Sequence, residues 1–425
     1  MKHVIALLPF KDFEETFTTL LEVIKRADMQ VTIAGNFDKD HLVDYPFIED
    51  VIYIPSKDLF LNEEDKLLEI LDDFYARKPF DAIINFFEEY VELSARITSR
   101  YGLTGNSERT ALLTRNKYAM REVLHAHGCR VPKFIKVETL DDFIRAVNEI
   151  GLPCVAKPLD AMASEGVVKI ESFQNLDTLF NDLMQSNDGI KQTQYGKLLV
   201  EEYVDGQEIS VEGVLSNGKL KIMGITEKTT EEEPFFNEIM HIHPAPLPED
   251  LETEIHELTQ KAVAALGIQY GGVHLEARLS RKGPSIIEIA SRLGGDAIPS
   301  LMTLAKGYDP YHYVFMSGVD IPIELDKKRN KYAGIRFIQA PKDGKLLEIS
   351  FDEEALKAIP GVINKRIFGR IGEHIARPPE GRTNRLAYIT VAGRSYEQVK
   401  RNLLLAEQAL NYHIEDAVLQ QEITL

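Results

Sequence analysis

The segment PSIIEIASRLGGD, residues 284–296, closes an apolar run at Glu288 and then sets Arg292, Gly294, Gly295 and Asp296 in quick succession. A carboxylate can hold a cation, a guanidinium can neutralise a phosphoryl group or an oxyanion, and a backbone without side chains lets a substrate approach. A solvated turn after a buried strand has the same composition, so the segment alone leaves both readings open. A second carboxylate, Glu276, lies in GGVHLEARLS, and a turn at Lys282 and Gly283 makes the two stretches adjacent strands. Glu276 and Glu288 are then expected to point to one face and converge. Two carboxylates in one place need a cation between them, and oxygen donors beside phosphate suit Mg²⁺.

Lys157 stands in CVAKP, a buried strand, where an unpaired ammonium is costly and an anionic partner is expected. Phosphate would supply one. The following loop, Ala163, Ser164, Glu165, Gly166, has little side-chain bulk, so its backbone N–H groups could close over phosphates; a plain hairpin turn would look similar. Glu88 and Glu89 follow the strand-like DAIINF, where ligands of open α/β sheets sit, and either grip a substrate amine or pair with the N-terminus of the next helix.

The groups that position these residues follow from texture. HVIALL, QVTIA, VIYI and DAIINF read as short buried strands, and FEETFTTLLEVIKRA between the first two carries Phe17, Leu20, Leu21 and Ile24 at helical spacing. This alternation predicts a doubly wound α/β unit with a parallel sheet, and Pro9, Phe10 and Lys11 stand where a dinucleotide-binding glycine turn would be. From residue 115, RNKYAMREVLHAHGCRVPKF reads as one amphipathic helix closed by Gly128. Alternating strands and a helix over 249–267 then make an α+β region. Beyond about 330, YAGIRFIQAP, GKLLEI, EHIARPP and RLAYITVAG read as antiparallel strands before a final helix over 395–410. The predicted units are 1–100 (α/β), 101–325 (with a central lid at about 130–200) and 326–425 (C-terminal α+β).

Composition sets limits. The chain has 425 residues and a formal charge of -18, with no basic tract interleaved with aromatics, which argues against nucleic acid but leaves room for a small anion in a local pocket. No apolar run approaches the ~20 residues that span a bilayer, and MKHVIALLPF lacks a cleavage region, so a membrane partner is not expected and the cytoplasm is. Cys129 and Cys154 are too few for a disulfide framework and read as passive core residues.

Taken in order, Lys117, Lys157, the loop at 163–166, Glu201 to Val204, Glu208, Glu276, Glu288 and Arg292 resemble the ATP-grasp superfamily of carboxylate–amine ligases over roughly residues 100–320. The resemblance implies an ATP-grasp fold with an N-terminal doubly wound parallel-sheet domain and a C-terminal antiparallel-strand subdomain. It makes Lys117, otherwise a surface lysine, a second phosphate contact beside Lys157 and Ser164. Glu201 would accept from the adenine amine, the backbone at Glu202 and Val204 would read the ring edge, and Glu208 would bind the ribose. Glu276 and Glu288 would bind two Mg²⁺ ions, with Mn²⁺ as substitute. Ala290 stands where the family usually has a metal-binding Asn.

TRNKYAMR, FFNEIMHIHPAPLP and EIASRLGGD bring the likeness closer to bacterial L-amino acid ligases. That likeness puts Glu238 and His241 at an amino acid site and His274 near the phosphates. Zinc at His241 and His243 lacks a third ligand at metal spacing. The implied reaction phosphorylates the carboxylate of one amino acid, and the amine of another then attacks while Arg292 stabilises the oxyanion and Gly294 and Gly295 admit the substrate. ADP, phosphate and a dipeptide would result, and a homodimer is the oligomeric expectation. Two alternatives are a ligase acting on a non-amino-acid carboxylate in a peptide antibiotic pathway, and a non-catalytic ATP-binding regulator. Asp296 stands where the bacilysin-type enzyme has an indole; it would admit a long cationic side chain, bind the α-amine, or cap a helix beginning near Ala297.

Overall fold

The computed structural model describes residues 1–8, 21–26, 28–36, 47–54, 63–161, 164–189, 197–231, 236–326, 328–377 and 385–416. Pro9 to Lys11, Phe17, Leu20 and Ala163, which carried expectations above, lie outside these. Strands His3–Leu7, Gln30–Gly35, Asp50–Tyr53 and Ala82–Asn85 form a wholly parallel sheet with the first strand between the second and fourth. Apart from the outer strand Asp50–Tyr53, where Tyr53 is exposed, their burial matches apolar runs covered on both faces. The order reverses beside the first strand, which opens a crevice at the carboxyl ends. Glu88 sits there, in the single turn Glu88–Tyr90 ahead of helix Val91–Tyr101.

An eight-stranded antiparallel sheet forms the centre, in the order Gly283–Ala290, Gly271–Ser280, Gln207–Ser216, Lys219–Thr230, Glu238–His243, Tyr332–Gln339, Arg385–Gly393, Val362–Ile367. Helix Glu249–Leu266 packs on it through Ile255, Ala262, Val263 and Leu266 and ends at Gly267, whose φ of 71° suits a residue without Cβ. A four-stranded antiparallel sheet, Phe134–Val137, Leu198–Glu202, Cys154–Pro158 and Val168–Ile170, is backed by helices Leu140–Ile150 and Leu176–Gly189. Gly344–Phe351, His374–Ile375 and Leu410–Glu415 make a small third antiparallel layer near the C-terminus.

The helix expected from residue 115 and closed by Gly128 is Lys117–Ala126, and a separate helix, Glu108–Arg115, precedes it. Asn116 breaks them: its backbone is extended, and its side chain accepts the N–H of Ala119 at 3.0 Å, starting a new helix. The final helix stops at Glu407 because Leu410–Glu415 pairs with Gly344–Phe351, and Val362–Ile367 is a strand that the sequence reading did not identify. Both cysteines are buried free thiols.

Candidate active site

One face of the central sheet carries the charged residues. Register pairs Arg278 with Glu208, Glu208 with Lys228, and Lys228 with His241, a row across four strands. In the next rows His274 faces Glu212 and Ala290, and Glu276 faces Glu288 and Ser210. The period of two puts His274, Glu276 and Arg278 on one face and Glu208, Ser210 and Glu212 on another stretch of the same face. This face and the four-stranded sheet enclose a cavity of about 130 Å³, lined among others by Lys117, Lys157, Glu201, Glu276, Glu288 and Arg292.

At one end of the cavity Lys157 finds its anionic partner within the chain: Nζ is 2.5 Å from Glu201. Arg121, fully buried, donates to the same carboxylate from Nε at 2.6 Å and to the Ile287 carbonyl. Burial opposes charge on Glu201, but Arg121 and Lys157 outweigh it and hold the carboxyl below its ordinary range. Burial and the nearby Arg121 and Lys117 lower the Lys157 pKa against the pull of Glu201. The expectation that Glu201 accepts a hydrogen bond from the adenine amine therefore meets a carboxylate already engaged by two cations. Lys117 Nζ donates to the Ala161 carbonyl at 2.6 Å and lies 3.0 Å from Glu288. Arg278 donates to the Val204 carbonyl at 3.2 Å and to Glu208 at 3.2 Å, joining the Val204 backbone to the sheet. Glu202 also lines the cavity, as does Ser164, which adopts a φ of 58°.

At the other end Arg292 donates Nε to Glu88, whose other oxygen accepts from Arg115 at 3.0 Å. Burial would raise the Glu88 pKa, but Arg292 and Arg115 lower it from 4.5 to about 2. With both oxygens engaged by guanidiniums, Glu88 orients Arg292; it does not present a free carboxylate to an amine. Gly294 donates its N–H to Glu212 at 2.8 Å, and a Cβ there would come within 2.8 Å of both Glu212 and His274. Gly295 has open space at the same position. His274 lies between Glu212 at 2.5 Å and Glu276 at 3.1 Å. Burial disfavours its imidazolium, but these carboxylates raise its pKa to about 9.

Farther along the face, His241 Nε2 lies 3.2 Å from Glu238 and 3.6 Å from Asp296. Asp296 is held by both terminal nitrogens of Arg385, at 2.7 and 2.5 Å, and that guanidinium stacks 3.7 Å over Phe337. Burial would raise the Asp296 pKa, whereas Arg385 and His241 hold it well below the usual range. Asp296 does not cap the helix: Ile298–Lys306 starts from Ala297 with no side-chain cap, and Asp296 and Ala297 take φ of 50° and 60°. A negative charge free to attract a cationic substrate is likewise absent, because Arg385 neutralises it.

The donor set suits Mg²⁺: Glu276 and Glu288 are register partners, both line the cavity, and both are hard oxygen ligands already balanced by ammonium groups, Lys228 and Lys117. Sequence reasoning missed Lys228, Arg278, Arg121, Arg115, Glu212 and Arg385. The first two and Glu212 carried a readable signal, charged residues at the inward parity of alternating strands. Arg121, Arg115 and Arg385 sit far in sequence from the carboxylates they meet, so spacing could not reveal them.

Residues 150–300, which carry most of this ionic face, match the ATP-grasp domain, and the ligases the chain resembles support an ATP-dependent carboxylate–amine ligase. Within that class, residues 336–415 match L-amino acid ligase C-terminal domain 2. The chain is similar to y4rH of Sinorhizobium fredii (27% identity over 351 residues, 82% of this chain and 72% of that protein). It is also similar to alanine–anticapsin ligase of Bacillus subtilis (30% over 290 residues), and it covers 60% of that protein's length with 62% of its own. The crystal structure of an L-amino acid ligase from Bacillus licheniformis shares the fold, with a TM-score of 0.79 at 23% identity, over 98% of this chain and 99% of that one. Among the described residues no helix is long and apolar enough to cross a membrane.

Proposed function

We propose that the protein is an L-amino acid ligase that forms a dipeptide through an aminoacyl phosphate. The observation that carries this reading is the single ionic face running from the lysine-lined end of the cavity to Glu238, His241, Asp296 and Arg385. A zwitterion needs both a carboxylate and a cation to hold it, and both signs stand beside the residues that would receive a triphosphate. In this reading the nucleotide lies between the four-stranded sheet and the central sheet, whose last three strands come from the unit placed at 326–425.

In this reading Lys117 and Lys157 receive phosphate oxygens, Ser164 closes over them, and the backbone at Glu202 and Val204 reads the adenine edge while Glu208 takes the ribose. Glu201 acts by fixing Lys157 and Arg121. Glu276 and Glu288 would hold Mg²⁺, which supplies charge neutralisation on the triphosphate. The γ-phosphoryl group passes to a carboxylate oxygen of the first amino acid, and ADP leaves. The amine nitrogen of the second attacks the carbonyl carbon, loses a proton, and the bond to phosphate breaks. Arg292, held by Glu88, offsets the oxyanion, and Gly294 and Gly295 leave room for the reacting carbonyl. Glu238 and His241 bind the amino acid beside the Asp296–Arg385 pair, and His274, as an imidazolium, adds positive charge near the phosphates.

Incubation with ATP, Mg²⁺ and amino acid pairs, with phosphate and product mass both measured, tests this. Phosphate release that depends on two amino acids and yields their condensation product supports the reading; release with a non-amino-acid carboxylate alone, or no condensation product, refutes it.

A further inference from the structure

Lys228 has no part in the roles assigned above, yet it lies at the middle of the face, 1% exposed on strand Lys219–Thr230. Its Nζ is 2.6 Å from Glu238, 3.3 Å from Glu208 and in contact with Glu276. Oxygens of these three carboxylates lie within 4.8 Å of one another, the spacing of ligands around one cation. We propose that Lys228 is a placeholder cation that occupies this position in the nucleotide-free enzyme and so makes metal capture by Glu276 conditional on ATP. The inference rests on the reading of Glu276 as a metal ligand.

Three converging carboxylates without the ammonium have the hard oxygen donor set of a divalent ion site. An ion taken up there ahead of ATP would occupy Glu276 and also stand against Glu238, where a substrate ammonium has to enter. A tethered ammonium prevents this without leaving buried carboxylates unbalanced. It carries only one charge, so Glu276 remains open to exchange: it can turn to a metal arriving with the triphosphate while Lys228 keeps Glu208 and Glu238. Lys228 is thus a positioning residue, acting through the three carboxylates and touching neither reacting atom.

The test counts bound Mn²⁺ by the loss of its free-ion paramagnetic resonance signal, with and without a non-hydrolysable ATP analogue. Wild type and Lys228→Arg should bind Mn²⁺ tightly only with the analogue. Lys228→Met should bind a Mn²⁺ ion per chain without nucleotide, at least about tenfold more tightly than wild type does, and Mn²⁺ should raise its unfolding temperature. Equal nucleotide-free affinity in Lys228→Met and wild type overturns the proposal. If Lys228→Met does not fold, wild type alone decides, since nucleotide-free binding as tight as with the analogue also overturns it. Binding with the analogue that survives Glu276→Gln refutes the metal reading instead, a separate outcome.

Discussion

Glu88→Gln offers a quantitative test of how Arg292 is held. The Glu88 carboxylate is 4% exposed and its pKa is lowered from 4.5 to about 2 by Arg292 and Arg115, against the effect of burial. That difference is worth about 3 kcal/mol in favour of the charged form. A pKa depressed in the folded state stabilises the protein above the unfolded value and loses that contribution as pH falls toward the folded one. The glutamine keeps the volume but leaves two largely buried guanidiniums without a counter-charge, so the variant should be about 3 kcal/mol less stable near neutral pH. The gap should narrow to roughly 2 kcal/mol at about pH 3.5, because Glu88 of the unfolded chain is protonated there while the folded carboxylate is not, and the variant has nothing to titrate. Urea unfolding of both proteins across this range measures it, read by circular dichroism and tyrosine fluorescence, since the chain has no tryptophan. A gap that stays constant or widens on acidification would refute the reasoning, as would no gap at neutral pH.

Glu288→Gln should abolish ATP-dependent phosphate release while the unfolding midpoint moves little, since the side chain is part exposed and the change removes one charge; wild-type-like turnover would remove Glu288 from the metal set. Gly294→Ala pushes a methyl group to within 2.8 Å of Glu212 and His274, and should cost about 1–3 kcal/mol of stability together with most of the activity; an unfolding midpoint and turnover at wild-type values would show that the glycine is not needed there. For Asp296 and Arg385, a double-mutant cycle with Asp296→Asn and Arg385→Met should return a coupling of about 1.5–3 kcal/mol by denaturant unfolding. Additive single effects would mean that the bidentate pair does not form in solution.

The parallel sheet was readable because its strands are short, mostly apolar and separated by a helical period, a pattern that needs no long-range information. The strand pair bearing Glu276 and Glu288 was equally legible, since alternation and a tight turn set both side chains in one register. What stayed hidden depends on partners distant in sequence. Nothing local shows that Glu201 faces Arg121, 80 residues away, or that Glu88 meets Arg292, 204 residues away. Hence Glu201 was expected at the adenine amine, and Glu88 at a substrate amine or a helix N-terminus, with neither guanidinium in view. The edge strand Val362–Ile367 was missed because its alternation is broken by Asn364, Lys365 and Arg366, which an edge exposed to water tolerates.

The clasp of Glu88 on Arg292 ties the crevice of the parallel sheet to the last residues of a strand pair in the central one. The arginine proposed to meet the oxyanion therefore has its orientation set by a residue of another sheet's crevice, 204 positions away in the sequence. A chimaera that exchanges the first hundred residues for those of a relative takes its clasp from that relative, even where every residue after Lys117 is kept. Recombination that preserves turnover should carry residues 85–92, 115 and 288–296 as one block, although they are scattered along the gene.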